Sequence, residues 1–207
     1  MTLALACLCA WLLGGIPFGL LLVRALKGVD LRRIGSGNIG ATNASRAFGS
    51  RAQLPMFALI YVLDFAKGFV PAAWFAAAFG VEPSQAADAL LGAAAVAGHC
   101  FSPFLGLRGG KGVATTTGVF AAIEPFALGI AIATFFVALV LSKHRVFVGS
   151  LALGVALAVA VILRDPGSAF GERLPATVLS VAIAAFLFWT HRSNLARLRA
   201  ERIGGST

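Results

Sequence analysis

Apolar residues in this chain come in long runs broken by short polar stretches, not at the spacing of amphipathic helices or alternating strands. The first run extends from about Thr2 to Val23. A polar stretch, Arg24 to Arg51, follows, and a second run covers about Gln53 to Phe79. The short acidic loop Gly80 to Asp88 leads to a third, about Ala89 to Phe104, which enters the glycine-rich stretch Gly106 to Gly112. Val113 to Leu141 is too long for one span without a large tilt. Glu124-Pro125 lies inside it; proline removes a helix hydrogen bond and a carboxylate is costly in hydrocarbon. The run is therefore split into a short span ending near Ile123 and another starting near Phe126. After the basic turn Lys143 to Arg145 come Val146 to Leu163, the loop Arg164 to Arg173, Leu174 to Thr190 and a basic tail. The pattern predicts an all-α integral membrane protein of about seven transmembrane helices, with short re-entrant or polar loops.

Composition sharpens this picture. Of 207 residues, 59% are hydrophobic and only 12% charged, about half the charge of a typical soluble domain. A soluble protein of this size has too little interior to hide that much apolar surface. One membrane-embedded domain over residues 1–207 is expected, and the first run is read as a retained span because no basic segment precedes it. Cys7 and Cys9 lie within that run and Cys100 stands alone, so no disulfide framework or zinc site is indicated.

Charge then orients the helices. Seven spans place every basic residue except Lys67, Arg164 and Arg173 on one side, in Arg24 to Arg51, Arg108 to Lys111, Lys143 to Arg145 and the tail. That side is expected to be cytoplasmic, with the N-terminus outside and the C-terminus inside. Six spans would scatter the basic segments over both faces. The surplus of 17 basic over 8 acidic residues is thus explained by membrane topology, with no nucleic-acid partner required. Cationic loops also suit anionic substrates.

Three polar clusters fall on the basic side. The first is Ser36, Gly37, Asn38, Ile39, Gly40, Ala41, Thr42 and Asn43, with Arg46 three residues on. Glycines let several backbone N–H groups converge on one anion, short polar side chains add donors, and arginine can grip a phosphate with two. A flexible loop with a helix cap has the same composition. The second cluster is His99 to Phe104, followed by Arg108, Gly109, Gly110, Lys111, Gly112, Val113, Ala114 and Thr115. It fails as a nucleotide-binding P-loop: Leu105 stands where the first glycine is needed, and Gly112 where Ser or Thr must follow the lysine. A glycine-rich turn with a lysine at a helix N-terminus remains, which is a general anion site. His99 is equally read as a helix-end histidine bonded to backbone. The third cluster, His191, Asn194 and Arg197, shares one helical face; its bland alternative is a basic helix on anionic lipid. Asp64 and Lys67 share a face inside the second span and can neutralise each other there.

Taken together, the clusters resemble the bacterial acyl-phosphate:glycerol-3-phosphate acyltransferase family (PlsY). The likeness runs through Gly15 to Gly19, Gly35 to Asn43, Asp64 to Gly68, Gly98-His99, Gly109 to Thr115 and the tail residues His191, Asn194 and Arg197. Arg108 stands where the family usually has lysine, Ser193 where it often has an acid, and Thr190 where it often has arginine. The resemblance implies a bacterial inner-membrane enzyme whose active site faces the cytoplasm. It implies transfer of a fatty acyl group from acyl phosphate to the sn-1 hydroxyl of glycerol 3-phosphate, giving lysophosphatidic acid and inorganic phosphate. His191, Asn194, Ser36 and Lys111 are then expected at the reacting atoms. Ser36, Gly37, Asn38, Thr42, Asn43, Arg46, Lys67, His99, Gly109, Gly110, Lys111, Gly112, Thr115 and Arg197 are expected around the substrate phosphates.

The expected partners are glycerol 3-phosphate, fatty acyl phosphate, membrane lipid and, transiently, the soluble enzyme that makes acyl phosphate. No cofactor or metal is expected. No histidine is followed five residues later by an acid (those positions are Phe104, Gly149 and Ala196), so the His-x4-Asp motif of other glycerolipid acyltransferases is missing. The general base is either His191 or a substrate phosphate oxygen. A transporter of a phosphorylated small molecule is the rival from another class. It predicts inverted repeats and polar groups at mid-membrane, whereas the polar clusters here gather at one surface.

Overall fold

The computed structural model describes residues 2–204 and is helical throughout; the single-domain reading of 1–207 extends past these bounds. The helices are α1 (Thr2–Gly15), α2 (Phe18–Lys27), α3 (Ala41–Ala44), α4 (Gly49–Val70), α5 (Ala76–Ala78), α6 (Gln85–Cys100), α7 (Val113–Ile123), α8 (Pro125–Leu141), α9 (Val146–Arg164), α10 (Pro166–Ala169), α11 (Leu174–Thr190) and α12 (Arg192–Gly204).

The breaks have identifiable causes. The expected first span is in fact two helices, because Pro17 has no N–H to continue the ladder and restrains Ile16 before it. α2 then runs on to Lys27, where left-handed Gly28 closes it by donating to the Arg24 carbonyl. Pro71 resets the ladder after α4 as one turn of π-helix, Pro71–Phe75. α6 begins earlier than the apolar run because Ser84 caps it, accepting from Ala87 N at 3.2 Å. The chain breaks at Glu124, and Pro125 takes the first position of α8, as the sequence pattern requires.

Among the described residues, four helical segments are long and apolar enough to cross a bilayer, or five if α11 and α12, bent by 52°, count as one. α7 and α8 are shorter. Large apolar side chains such as Phe126, Phe136, Val140 and Leu141 point outward, while Asp64, Lys67, Glu124 and Thr115–Thr117 are buried. A soluble core reverses that arrangement; in a bilayer, intramembrane charges turn inward.

The helices form two compact units, Met1–Ile123 and Glu124–Thr207. In the first, α1 packs on α6 and α4 on α7. Small residues permit both close approaches. A β-carbon on Gly14 would meet the Ala95 carbonyl, and one on Gly98 the Trp11 carbonyl; Gly68 and Gly118 stand in the same relation to Thr115 and Phe65. In the second unit α8 packs on α9 and α9 on α11. There the Glu124 carboxylate receives Arg164 Nη1 and Arg173 Nη2, each at 2.7 Å.

Candidate active site

The segment between α2 and α4 is a structured loop. Asp30 accepts from Arg32 N at 3.0 Å, starting a 3-10 turn over Leu31–Arg33. Its carboxylate also receives the Arg32 guanidinium at 2.7 to 3.2 Å. Those hydrogen bonds hold the Asp30 carboxyl down to about 2. Left-handed Gly37 turns the chain and donates to the Ile34 carbonyl at 2.9 Å. The loop is then tied by Asn43. Its Oδ1 accepts from Ser36 N at 3.1 Å, and its Nδ2 donates to the carbonyls of Ile34 and Asn38, both at 2.9 Å. Asn38 Oδ1 in turn accepts from Gly40 N at 2.8 Å. Ser36 and Arg46 are left exposed, and Gly37, Asn38 and Thr42 partly so.

The second cluster grows from the end of α6. Ser102 Oγ donates to the Gly15 carbonyl at 2.6 Å, satisfying one acceptor freed by the Pro17 break. The chain then doubles back: Gly109 N donates to Cys100 O at 2.9 Å, and Gly110 N to His99 O at 3.0 Å. A β-carbon on Gly110 would collide with His99 Nε2, so this turn can lie on the imidazole only as glycine. Lys111, half-buried, and left-handed Gly112 lead into α7, whose start lays backbone N–H groups beside the turn.

These two clusters lie side by side in the first unit. Leu105, from the approach to the glycine-rich turn, packs against the apolar cluster that holds Leu31 and Ile39 together with Ile34. A cavity of about 280 Å³ is lined by Arg32, Leu105, Gly106 and Arg108. The sequence placed Ser102 within the second cluster without giving it a role and did not single out Arg32, because an arginine inside a run of basic residues carries no distinguishing signal.

Burial divides the residues expected around phosphate. Asn43, Lys67, His99 and Thr115 are all at most 4% exposed. Asn43 spends its whole amide inside the loop, and Lys67 is engaged by Asp64 Oδ1 at 2.8 Å and by the Ile16 carbonyl at 2.9 Å. His99 Nδ1 lies 3.8 Å from Asp64 Oδ1 and has no hydrogen-bond partner. Ser36, Gly37, Asn38, Thr42, Arg46, Gly109, Gly110 and Lys111 retain access to solvent.

The third cluster belongs to the second unit. His191, 3% exposed, ends α11. Its Nδ1 is 2.9 Å from the Leu187 carbonyl, which can only accept, so the ring proton sits on Nδ1. Asn194 N donates to His191 O at 2.9 Å, so the first turn of α12 starts on the histidine. Asn194 is partly buried and Arg197 exposed.

Comparison with known proteins bears on what these groups do. The profile of the family described as glycerol-3-phosphate acyltransferase matches residues 4–201. A glycerol-3-phosphate acyltransferase of Aquifex aeolicus (strain VF5) is 37% identical over 195 residues, covering 93% of each chain. Glycerol-3-phosphate acyltransferase 1 of Deinococcus radiodurans is 42% identical over 200 residues, covering 97% of this chain and 93% of its own. Among solved structures, PlsY, an integral membrane glycerol 3-phosphate acyltransferase, is similar in its glycerol 3-phosphate form with a TM-score of 0.82 at 33% identity, covering 98% of this chain and 94% of that one. Its lysophosphatidic acid form gives a TM-score of 0.80 at 32% identity, with the same coverage.

Proposed function

This chain belongs to the glycerol-3-phosphate acyltransferase family, and from that membership we propose that it acylates the sn-1 hydroxyl of glycerol 3-phosphate with a fatty acyl phosphate as donor. The hydroxyl oxygen attacks the acyl carbonyl, the carbon–oxygen bond to phosphate breaks, and lysophosphatidic acid and inorganic phosphate leave. This is the first step of bacterial phospholipid synthesis. Phosphate is a competent leaving group, so no strong general acid is needed. The hydroxyl proton goes to His191 or to a phosphate oxygen.

The observation that carries this reading is that the flanks of the two loops meet: Leu105 packs on the apolar cluster of Leu31, Ile34 and Ile39, and Arg32 and Arg108 line one cavity. Both substrates bring phosphate, and two adjoining loops rich in backbone and hydroxyl donors suit two anions. In this reading Lys111, Arg46 and Arg197 neutralise phosphate charge, with Ser36, Gly37, Asn38, Thr42, Gly109, Gly110 and Gly112 as donors around it. Asn43 and Thr115 support the loops from within. Asn194 and His191 stand at the reacting hydroxyl. The acyl chain lies among the apolar helices, in contact with lipid.

In this reading the protein is a single membrane-embedded domain of seven spans in the inner membrane, N-terminus outside and C-terminus cytoplasmic, an orientation that the distribution of basic residues supports. Its loops then face the soluble enzyme that makes acyl phosphate. The deciding assay supplies purified protein with acyl phosphate and glycerol 3-phosphate and follows phosphate release together with lysophosphatidic acid. Release of phosphate is expected only with both substrates present, and acyl-CoA is expected to fail as donor. Comparable turnover with acyl-CoA refutes the donor assignment.

A further inference from the structure

We propose that Asp64 and Lys67 are positioning residues for the glycine-rich turn, acting through His99, and that Lys67 does not touch substrate phosphate. This rests on the reading that the turn binds the phosphate of glycerol 3-phosphate.

The geometry forms a continuous chain. Lys67 Nζ reaches the Ile16 carbonyl at 2.9 Å, the second acceptor freed by the Pro17 break. The same nitrogen lies 2.8 Å from Asp64 Oδ1 and 5.7 Å from the centre of the Phe18 ring. The ammonium is thus enclosed by α2, α4 and the break between α1 and α2, and the two side chains are 2% and 3% exposed. Asp64 Oδ1 faces His99 Nδ1 at 3.8 Å, too far for a hydrogen bond but close enough for its charge to act on the ring. On its other side the ring lies under Gly110, whose N–H is bonded to the His99 carbonyl. Displacing the imidazole therefore displaces the turn.

A phosphate ligand role for Lys67 meets two obstacles. Its ammonium would have to leave a buried carboxylate, stranding that charge, and would also abandon the Ile16 carbonyl. The neutral pair instead fixes the break, the histidine and the turn relative to one another. Removing one member of a buried pair strands a charge and also loses the positioning contacts, whereas removing both leaves only the loss of positioning.

Three variants form the cycle: Asp64→Asn, Lys67→Met, and the two combined. Each is read by hydrogen exchange of the Gly109–Gly112 amides and by the KM for glycerol 3-phosphate and kcat. Each single variant is expected to speed exchange at the turn and raise KM about tenfold, with kcat within about threefold of wild type, a coupling of the size found between contacting residues. The double variant strands no charge but still lacks the contacts to the Ile16 carbonyl and to the imidazole. Exchange at the turn and KM are therefore expected to stay raised by about threefold or more. Native exchange and native KM in the double show that the pair positions nothing and overturn the proposal. A double with native exchange but a KM still raised about tenfold makes Lys67 a ligand and overturns the proposal. Wild-type exchange in both single variants also overturns it.

If the single variants fail to fold, the double and His99→Gln carry the test. His99→Gln removes the ring beneath Gly110 and leaves the ion pair intact, and it is expected to loosen the turn and raise KM. Unchanged exchange and KM in that variant refute the route through His99. A wild-type protein that exchanges as expected but transfers no acyl group refutes the functional reading alone, since exchange is measured without turnover.

Discussion

Arg173 Nη2 lies 2.7 Å from Oε1 of Glu124, a carboxylate whose side chain is only 2% exposed. Arg164 reaches the other carboxylate oxygen at 2.7 Å, so one acid at the start of α8 joins the end of α9 to the residue preceding α11. Glu124→Gln keeps the shape but strands two guanidinium groups. Breaking a buried pair costs roughly 3–5 kcal/mol. The lower end is expected because the Arg164 side chain is 45% exposed and water can replace part of the loss. At roughly 2–4 °C per kcal/mol for a chain of this size, thermal unfolding in detergent should show a midpoint lower by about 6 °C or more. An unchanged midpoint would mean the clamp contributes nothing net.

Asn43 is predicted to act on catalysis without meeting substrate. Asn43→Asp can still accept from Ser36 N but cannot donate to Ile34 and Asn38, which leaves two carbonyls unpaired near a new charge. Each unsatisfied buried group costs about 1–3 kcal/mol, so the loop should shift and kcat/KM should fall at least about tenfold. Steady-state kinetics on folded protein checks this. Near-normal activity would place the Ser36 loop outside the site.

Lys111→Ala is expected to lose at least about tenfold in kcat/KM while the protein still inserts. A charged hydrogen bond to phosphate is worth roughly 1.5–3 kcal/mol, and about 1.4 kcal/mol is a factor of ten. If Lys111 only orients the turn, neighbouring Arg108 should compensate and activity should stay within about twofold.

His191 offers two substitutions that separate its nitrogens. Asparagine can replace Nδ1 as donor to Leu187 O, whereas glutamine can place an amide near Nε2. The Nδ1 partner is a backbone carbonyl, not the carboxylate that stabilises imidazolium in a catalytic triad. Glutamine is therefore expected to raise KM more than it lowers kcat, and to retain more activity than asparagine. A kcat loss of about 10²–10⁴ for both variants at saturating substrate would instead make His191 the proton acceptor.

Topology is checked by thiol labelling in a background lacking Cys7, Cys9 and Cys100. Ser36→Cys and Arg197→Cys should label only from the cytoplasm, and Ser168→Cys only from outside. Labelling of positions 36 and 168 from the same side contradicts seven spans.

Most helix positions were legible in the sequence by itself. The last long helix covers Leu174–Thr190, as its apolar run predicts, and the break falls at Glu124-Pro125. The preference of a segment for a bilayer is summed over its own residues, and proline breaks a helix through its own missing N–H. The Asp64–Lys67 ion pair was legible for the same reason, being three residues apart on one helix. The break at Pro17 was also written there, but a hydropathy run does not register it. Only the tertiary structure decided which polar groups remain available to substrate. Lys67 is held by the Ile16 carbonyl 51 positions away, and Ser102 by Gly15 across 87. Asn43 turns inward to tie a loop, while Ser36 in the same motif stays exposed. A buried donor takes whichever acceptor the packing leaves unpaired, and those acceptors were created at helix breaks elsewhere in the chain.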